Sequence, residues 1–324
     1  MNGSIRKVRL FIKQILGHLD ASWNAEPTEL FPLTPALPLP PGISEPELRE
    51  ILESIAFFPE MVNYCRQDFR RFVYTYGLVK DMTGKCLELG SNPYFTTLLL
   101  KYYTSLDLTL ANYFSPDYEL DPITKTEVVE LSCLNPQTRQ PQTLSFKSHH
   151  FNLETEQAPF DDGEFDVILY CEILEHLTLD PLKSLREIKR ILKPGGTLVL
   201  TTPNAIRLEN VARLIVGENI YDTYSAYGIY GRHNREYTSR ELRSMLSYMG
   251  FTIDTLFTAD VSPNQAKHLT SVYYLQSFIN HRKTDLGQYI FIKATKTGEA
   301  GAKRLPFLYR SYALEEMETS TQSF

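Results

Sequence analysis

FDVILYCEILEHLTLDPLKSLREIKRILKPGGTLVLTTP, residues 165–203, reads as strand, helix and strand in direct succession. Phe165 to Tyr170, apolar but for Asp166, is of strand length and reads as a buried strand. Asp180-Pro181 then supplies an N-cap and a proline at the first helical position, where its missing N–H costs nothing. Leu182, Leu185, Ile188, Ile191 and Leu192 recur at helical spacing, and Lys193-Pro194-Gly195-Gly196 stops the helix. Thr197 to Thr202 follows as a parallel strand that Pro203 ends.

The same alternation extends in both directions. Upstream, Lys85 to Leu89 is a buried strand running into Gly90, followed by a helix over Tyr94 to Tyr103 and a second strand over Leu106 to Phe114. A third strand lies near Phe146 to Asn152, and residues 115–145 before it form either an inserted β-hairpin or one extra strand pairing with an extended third strand. Downstream, Thr238-Ser239-Arg240-Glu241 is a capping box for a helix that runs to Met249 and stops at Gly250. A strand over Phe251 to Phe257, a helical stretch over Asn264 to Asn280 and a final strand over Gln288 to Ala294 complete the unit. The expected fold is α/β and Rossmann-like: a mainly parallel seven-stranded sheet with helices on both faces and the last strand antiparallel. Its main domain spans 48–296, with a helical cover at 48–80, the β insertion at 115–145 and a substrate cap at 203–238. An amphipathic helix region (1–30) and a proline-rich linker (31–47) precede it, and a loose tail (297–324) follows. Sheets of this kind bind ligands where the winding reverses, so the chemistry belongs after Glu88, Tyr170 and Thr202.

The formal charge of -6 and pI near 5.7 argue against a protein built to hold a phosphate backbone, so nucleic acid is not the expected partner. A small-molecule or glycan acceptor fits better. The cysteines, Cys65, Cys86, Cys133 and Cys171, form no CxxC pair, which points to a reducing cytoplasm. No apolar run is long enough to span a bilayer, and Lys13-Gln14 interrupts the first apolar stretch. Residues 4–19 alternate Ile5, Val8, Phe11, Ile12, Ile15, Leu16 and Leu19 with basic residues, a helix that packs on its own domain or touches an anionic membrane surface weakly.

KCLELGSNPYF, APFDDGEFDVILYCEILEHL and LREIKRILKPGGTLVLTTPN resemble the first, fourth and fifth strand motifs of class I S-adenosylmethionine-dependent methyltransferases. The similarity covers roughly residues 80–295. It implies S-adenosyl-L-methionine as cofactor, with Glu88 and Gly90 shaping the turn beneath its methionine part. The sequence departs from the family's three glycines, because Asn92 and Tyr94 occupy the second and third positions. By the same resemblance Asn112, or Tyr113 one position on, meets the ribose, and Asn152-Leu153-Glu154 occupies the region that touches the adenine. Ser91, Asn92 and Cys171 are further candidates for the cofactor cleft.

Glu172, Glu175 and His176 lie just past the fourth motif's strand, and a helical segment would put all three on one face. His233 adds a second imidazole. The four could hold Mg2+ or another divalent metal that acidifies an acceptor hydroxyl, as in small-RNA 3′-end methyltransferases, which carry a similar ExxEH and distant histidine. His176, His233 and Glu175 could equally act as a metal-free base system or be structural, since ubiquinone-pathway-like and sugar methyltransferases share ExxEH. Tyr221, Tyr224, Tyr227, Tyr230 and Tyr237 suit a cap over an amphipathic ligand. The whole arrangement resembles methyltransferases of surface-glycan biosynthesis, which implies O-methylation of a sugar or glycan intermediate. A metal-dependent RNA 2′-O-methyltransferase and a non-catalytic cofactor-binding scaffold are the alternatives; a dehydrogenase would need the GxGxxG that is missing.

Overall fold

A computed structural model describes residues 32–114, 125–264, 266, 272 and 280–318. The elements in chain order are α1 (Glu45–Glu53), α2 (Pro59–Val79), β1 (Thr83–Leu89), α3 (Phe95–Tyr103), β2 (Ser105–Asn112), β3 (Thr126–Leu134), β4 (Pro141–His150), β5 (Phe165–Cys171), α4 (Pro181–Ile191), β6 (Leu192–Pro203), α5 (Leu208–Ile215), α6 (Ser239–Tyr248), β7 (Phe251–Ala259) and β8 (Tyr289–Lys296).

They build one eight-stranded sheet in the order β3-β4-β2-β1-β5-β6-β8-β7. Strands β4, β2, β1, β5 and β6 pair in parallel, while β8 runs antiparallel to both β6 and β7. The sheet therefore has eight strands where seven were expected, and the addition is β3, which pairs antiparallel with β4 along its whole length. Asn135 closes that hairpin, its side-chain oxygen accepting from the Gln137 and Thr138 N–H groups, so the third parallel strand begins at Pro141.

Period-two geometry explains why β5 is apolar from Val167 to Leu169, with Tyr170 following. Val167 and Leu169 enter one core with Phe69, Phe72, Phe95 and Phe291, and Ile168 and Tyr170 enter the other with Leu182, Leu185, Met245 and Ile292. Helix α4 is capped by the Asp180 carboxylate, which accepts from the Leu182 and Lys183 N–H groups. It buries Leu182, Leu185 and Ile188 completely, each such burial stabilising by about 2 kcal/mol. The helix ends at Ile191, and β6 begins at Leu192 opposite Phe165, so Lys193 to Gly196 belong to the strand and not to a helix stop.

The expected 48–80 cover is two helices, parted before Pro59, the first position of α2. The proline-rich segment is extended but docked: Tyr74 donates to the Pro35 carbonyl, Leu33 N–H donates to Lys283 O at 2.8 Å, and Pro38 sits where a side chain at Gly77 would clash. The tail is not loose over 297–318. Leu305 and Tyr309 enter the α4 core, Tyr309 hydrogen-bonds the Asp180 carboxylate, and Gly301 N–H donates to Tyr248 O at 2.8 Å. A polar composition hid these two apolar anchors. The expected helix at 4–19, most of 264–280 and residues 115–124 of the insertion lie outside the described residues. No helix among the described residues is long and apolar enough to cross a membrane.

Because Leu305 is buried against that core, Leu305→Ala should lower unfolding free energy by about 2 kcal/mol, the low end for a buried leucine. A shift of the urea midpoint at unchanged slope would show it. An unchanged midpoint would mean that the tail contributes nothing to the folded state.

Candidate active site

Strands β1 and β5 are parallel neighbours in the middle of the sheet, and the connections leaving their ends diverge, which opens a crevice. Strand β1 ends at Gly90, whose φ of 66° and N–H bond to Ala111 O turn the chain sharply. A side chain there would meet Ile173 Cδ1 at 3.1 Å. The turn lacks the further glycines, and Asn112 shapes it instead. Its carbonyl oxygen accepts from Ser91 Oγ (3.2 Å) and Asn92 N–H (2.9 Å), while its amide nitrogen donates to Ser148 Oγ (3.1 Å).

The crevice holds a cavity of about 310 Å³. Gly90, Asn92, Asn112, Asn152 and Leu153 line it, as do Glu172 and His176. Leu89, Phe151 and Ile173 supply apolar walls, and the bare backbone at Gly90 admits a ligand closely, a shape that fits a nucleoside with a short polar chain. Tyr113 also lines it. The amide of Asn112 is committed to the turn, so the ribose contact expected of it is not on offer from a free group.

Three of the sequence candidates stand behind this wall. Glu88 is buried and accepts from Thr97 Oγ1 at 2.6 Å; burial pushes its carboxyl up to about 8, against the opposing effect of that bond. The Ser91 hydroxyl is spent on Asn112. Burial pushes the Cys171 thiol up to about 12, which leaves it an inert packing group.

The Glu172–His176 segment is not a helix. Glu172 has a left-handed φ of 54°, its N–H donates to Thr201 O at 2.9 Å, and a short 3-10 turn covers Leu174–His176. Pairing with β6 keeps the chain extended to Glu172 and rules out the i, i+3, i+4 face. Glu172 accepts from Thr201 Oγ1 at 2.8 Å and lines the cavity, close enough to Glu175 that the two carboxyl groups influence each other's ionisation. Glu175 is fully buried; Thr202 Oγ1 donates to its Oε2 at 2.9 Å, and its Oε1 has no partner among the described residues.

That orphan oxygen lies 3.9 Å from His176 Nε2. His176 Nδ1 is 3.0 Å from Arg232 O, and His233 Nδ1 is 2.9 Å from Glu236 Oε1, so each ring has its Nε2 left over. The rings meet edge to face at 5.0 Å between centroids. One ligand atom each from Glu175, His176 and His233 lies within 4.8 Å of the others. The fourth candidate, Glu172, is not part of that group.

Burial raises both Glu172 and Glu175, and the charge of Glu175 raises Glu172 further. Burial and the neighbouring His233 lower His176, which keeps it neutral and able to ligate. Glu236 stays below the usual carboxylate range: burial opposes this, but bonds from His233 and Arg207 prevail.

Helix α2 contributes residues that the sequence reading passed over. Arg71 is buried, pairs with Asp68 at 3.4 Å, hydrogen-bonds the Tyr64 hydroxyl, and lies close enough to Glu172 to influence its ionisation. Asp68 and Arg71, three residues apart among the aromatic residues of this helix, were the available signal. Glu154, also buried, accepts from the Thr178 N–H and hydroxyl and from the Leu179 and Asp180 N–H groups, fixing the segment after His176. Of the cap tyrosines only Tyr230 lines the cavity; Tyr237 is core, and Tyr221, Tyr224 and Tyr227 are 84%, 91% and 91% exposed.

The profile of a family described as "Methyltransferase domain" matches residues 65–256, more than half of the chain. The chain is 38% identical over 77 residues to the ubiquinone/menaquinone biosynthesis C-methyltransferase UbiE of Vibrio cholerae, a match covering 24% of this chain and 27% of that protein. Only about a quarter of the relative's length is thus spanned. Among solved structures, an S-adenosylmethionine-dependent methyltransferase of Thermotoga maritima aligns with a TM-score of 0.45 at 16% identity, over 77% of this chain and 100% of the other. The 1,6-didemethyltoxoflavin-N1-methyltransferase of Burkholderia thailandensis, solved with S-adenosylhomocysteine, aligns at 0.43 and 14% identity, over 80% and 94%.

Two outcomes follow from the crevice. Gly90→Val should weaken S-adenosylhomocysteine binding at least about tenfold, since the branched side chain is strained at this φ and collides with Ile173. Titration calorimetry on protein with a wild-type circular dichroism spectrum checks this, and wild-type affinity would show that the ligand does not lie on this turn. Glu88, raised to about 8 in the fold, binds a proton more tightly folded than unfolded. Its stabilising contribution is therefore full below about pH 4.5 and is lost as pH rises through about 8. Glu88→Gln should flatten the decline of Tm across that window; an unchanged slope would place its pKa near the ordinary value.

Proposed function

We propose that this chain, which belongs to the methyltransferase-domain family and is an S-adenosylmethionine-dependent methyltransferase, O-methylates a sugar-like hydroxyl with the help of a divalent cation held by Glu175, His176 and His233. The observation that carries this reading is the unpartnered, fully buried Glu175 Oε1 beside two imidazoles whose other nitrogens are tied down. Metal-ligating histidines characteristically donate their second ring nitrogen to a carboxylate or carbonyl, and Glu236 and Arg232 O stand in those places here.

Bound S-adenosylmethionine supplies an electrophilic methyl group on a sulfonium, and a divalent cation supplies Lewis acidity toward an oxygen. The chain's own residues do the rest. The Gly90 turn and the apolar walls of the cavity orient the donor, while Glu172 on the same wall offers a carboxyl group that a cationic sulfur would favour in its ionised form. Glu175, His176 and His233 mark where the acceptor oxygen is held and loses its proton, so that the C–O bond forms in line as the C–S bond breaks. A neutral His176 is the fitting form for either ligation or proton acceptance, and burial favours it.

Titration of Mn2+ followed by electron paramagnetic resonance tests the reading directly. Glu175→Gln and His233→Ala should abolish the bound signal. Glu236→Gln, which releases the His233 ring, should weaken it by about 10–100-fold. S-adenosylhomocysteine affinity should survive all three. If the wild-type protein fails to bind Mn2+, or transfers a tritiated methyl group equally well in excess chelator, the metal reading is wrong.

A further inference from the structure

Between two anchored points the chain makes a protrusion. On one side α5 is held by Leu208 and Ala212, buried in a small core with Leu286. On the other, Tyr230 lines the cavity and its hydroxyl accepts from the Asn152 amide at 3.1 Å, and His233 packs on His176. What lies between stands in solvent: Leu214, Ile215, Val216, Tyr221, Tyr224, Tyr227 and Ile229 are all exposed. Seven of the fifteen exposed large apolar side chains among the described residues thus fall within 214–229, a concentration that marks a contact surface. The loop is nevertheless folded. Asp222 accepts from the Thr223 N–H (2.9 Å) and the His233 N–H (3.0 Å), Gly231 N–H donates to Gly228 O, and the Arg232 guanidinium lies 4.6 Å from the centre of the Tyr224 ring.

Charge says what covers it. Asp222 has each carboxylate oxygen on a backbone N–H, whereas Arg213 and Arg232 make no ion pair among the described residues, so two guanidiniums are left for an anionic partner. Residues 1–19 of the sequence add Arg6, Lys7, Arg9 and Lys13 and no acid. The chain that follows them joins the fold beside α5: Leu33 N–H donates to Lys283 O, three residues before Leu286, whose carbonyl accepts from Leu208 N–H at the start of that helix. We infer that residues 214–229 are a membrane-docking surface, which settles on an anionic phospholipid bilayer with Arg213 and Arg232 at the phosphates, the tyrosines at headgroup level and Leu214, Ile215 and Val216 at the acyl boundary. A second copy of the chain fits less well. Tyrosines that stand 84–91% exposed offer no flat or concave face to a rigid partner, while a fluid headgroup layer conforms to any protrusion. The inference goes beyond the transferase reading and rests on this surface alone.

The test uses the full chain and vesicles of phosphatidylcholine with and without phosphatidylglycerol. Cys65, Cys86 and Cys133 are buried and Cys171 is half-buried, so Ala226→Cys can be labelled on the loop and Gln137→Cys on the far hairpin with an environment-sensitive fluorophore. Phosphatidylglycerol vesicles should shift the label at 226 to the blue and leave that at 137 unchanged. Ile215→Ser combined with Val216→Ser should weaken vesicle binding in co-flotation at least about tenfold, with S-adenosylhomocysteine affinity unchanged. Three results overturn the inference: no flotation of the full chain with either vesicle, flotation without a response at 226, or a dimer in sedimentation velocity that the double substitution dissolves. None of these depends on methyl transfer, so the surface and the transferase reading can fail separately.

Discussion

Everything at the site depends on how two neighbouring strands end. Strand β1 turns away at Gly90 and β5 at Glu172, each with a left-handed residue, and the gap between their departures is the crevice that both residues line. The strands can hold this position only because both faces of β5 are buried, which fixes its register against β1 and β6. A slip of one residue would turn Glu172 into the opposite core, where its carboxylate has neither Thr201 nor Arg71 for company.

Burial also sets the electrostatics. Glu172, Glu175 and Asp68 surround one buried guanidinium, Arg71, so the interior carries more carboxylate than cation. Charges removed from water must be paired or neutralised, and the raised pKa values of the two glutamates are the neutralised answer. A cation among Glu175, His176 and His233 would be the paired answer. The same imbalance thus accounts for the raised carboxyls and would favour the cation proposed for that site.

The central strand-helix-strand unit was legible because each signal there is local: an apolar run, an Asp-Pro cap, a helical stripe. The extra strand β3 was foreseen only as one of two readings, since pairing is decided by the partner β4 and not by residues 126–134 themselves. The helical face expected of Glu172, Glu175 and His176 failed for a similar reason: the extended backbone is held by the Glu172–Thr201 bond to β6, which no local pattern encodes. Spacing did single out the histidines, but the contact between them spans residues 176 to 233 and arises from the loop that Glu236 and Arg232 organise. Arg71 escaped because α2 reads as a cover, and a cover is not where a buried charge is sought.

That loop and the turn at His176 are one mechanical piece. Asn234 N–H and Arg235 N–H donate to Glu175 O, and the Asn234 amide donates to His176 O, so the strand ending at β5 and the segment before α6 cannot move apart without breaking several hydrogen bonds. On the other side Glu154, just past the cavity-lining Asn152 and Leu153, grips Thr178 to Asp180 through the N–H groups and the Thr178 hydroxyl. His176 therefore sits between two clamps, one from the segment after Asn152 and one from the loop before α6. Such bracing holds the imidazole fixed, as in-line transfer at the proposed site would demand.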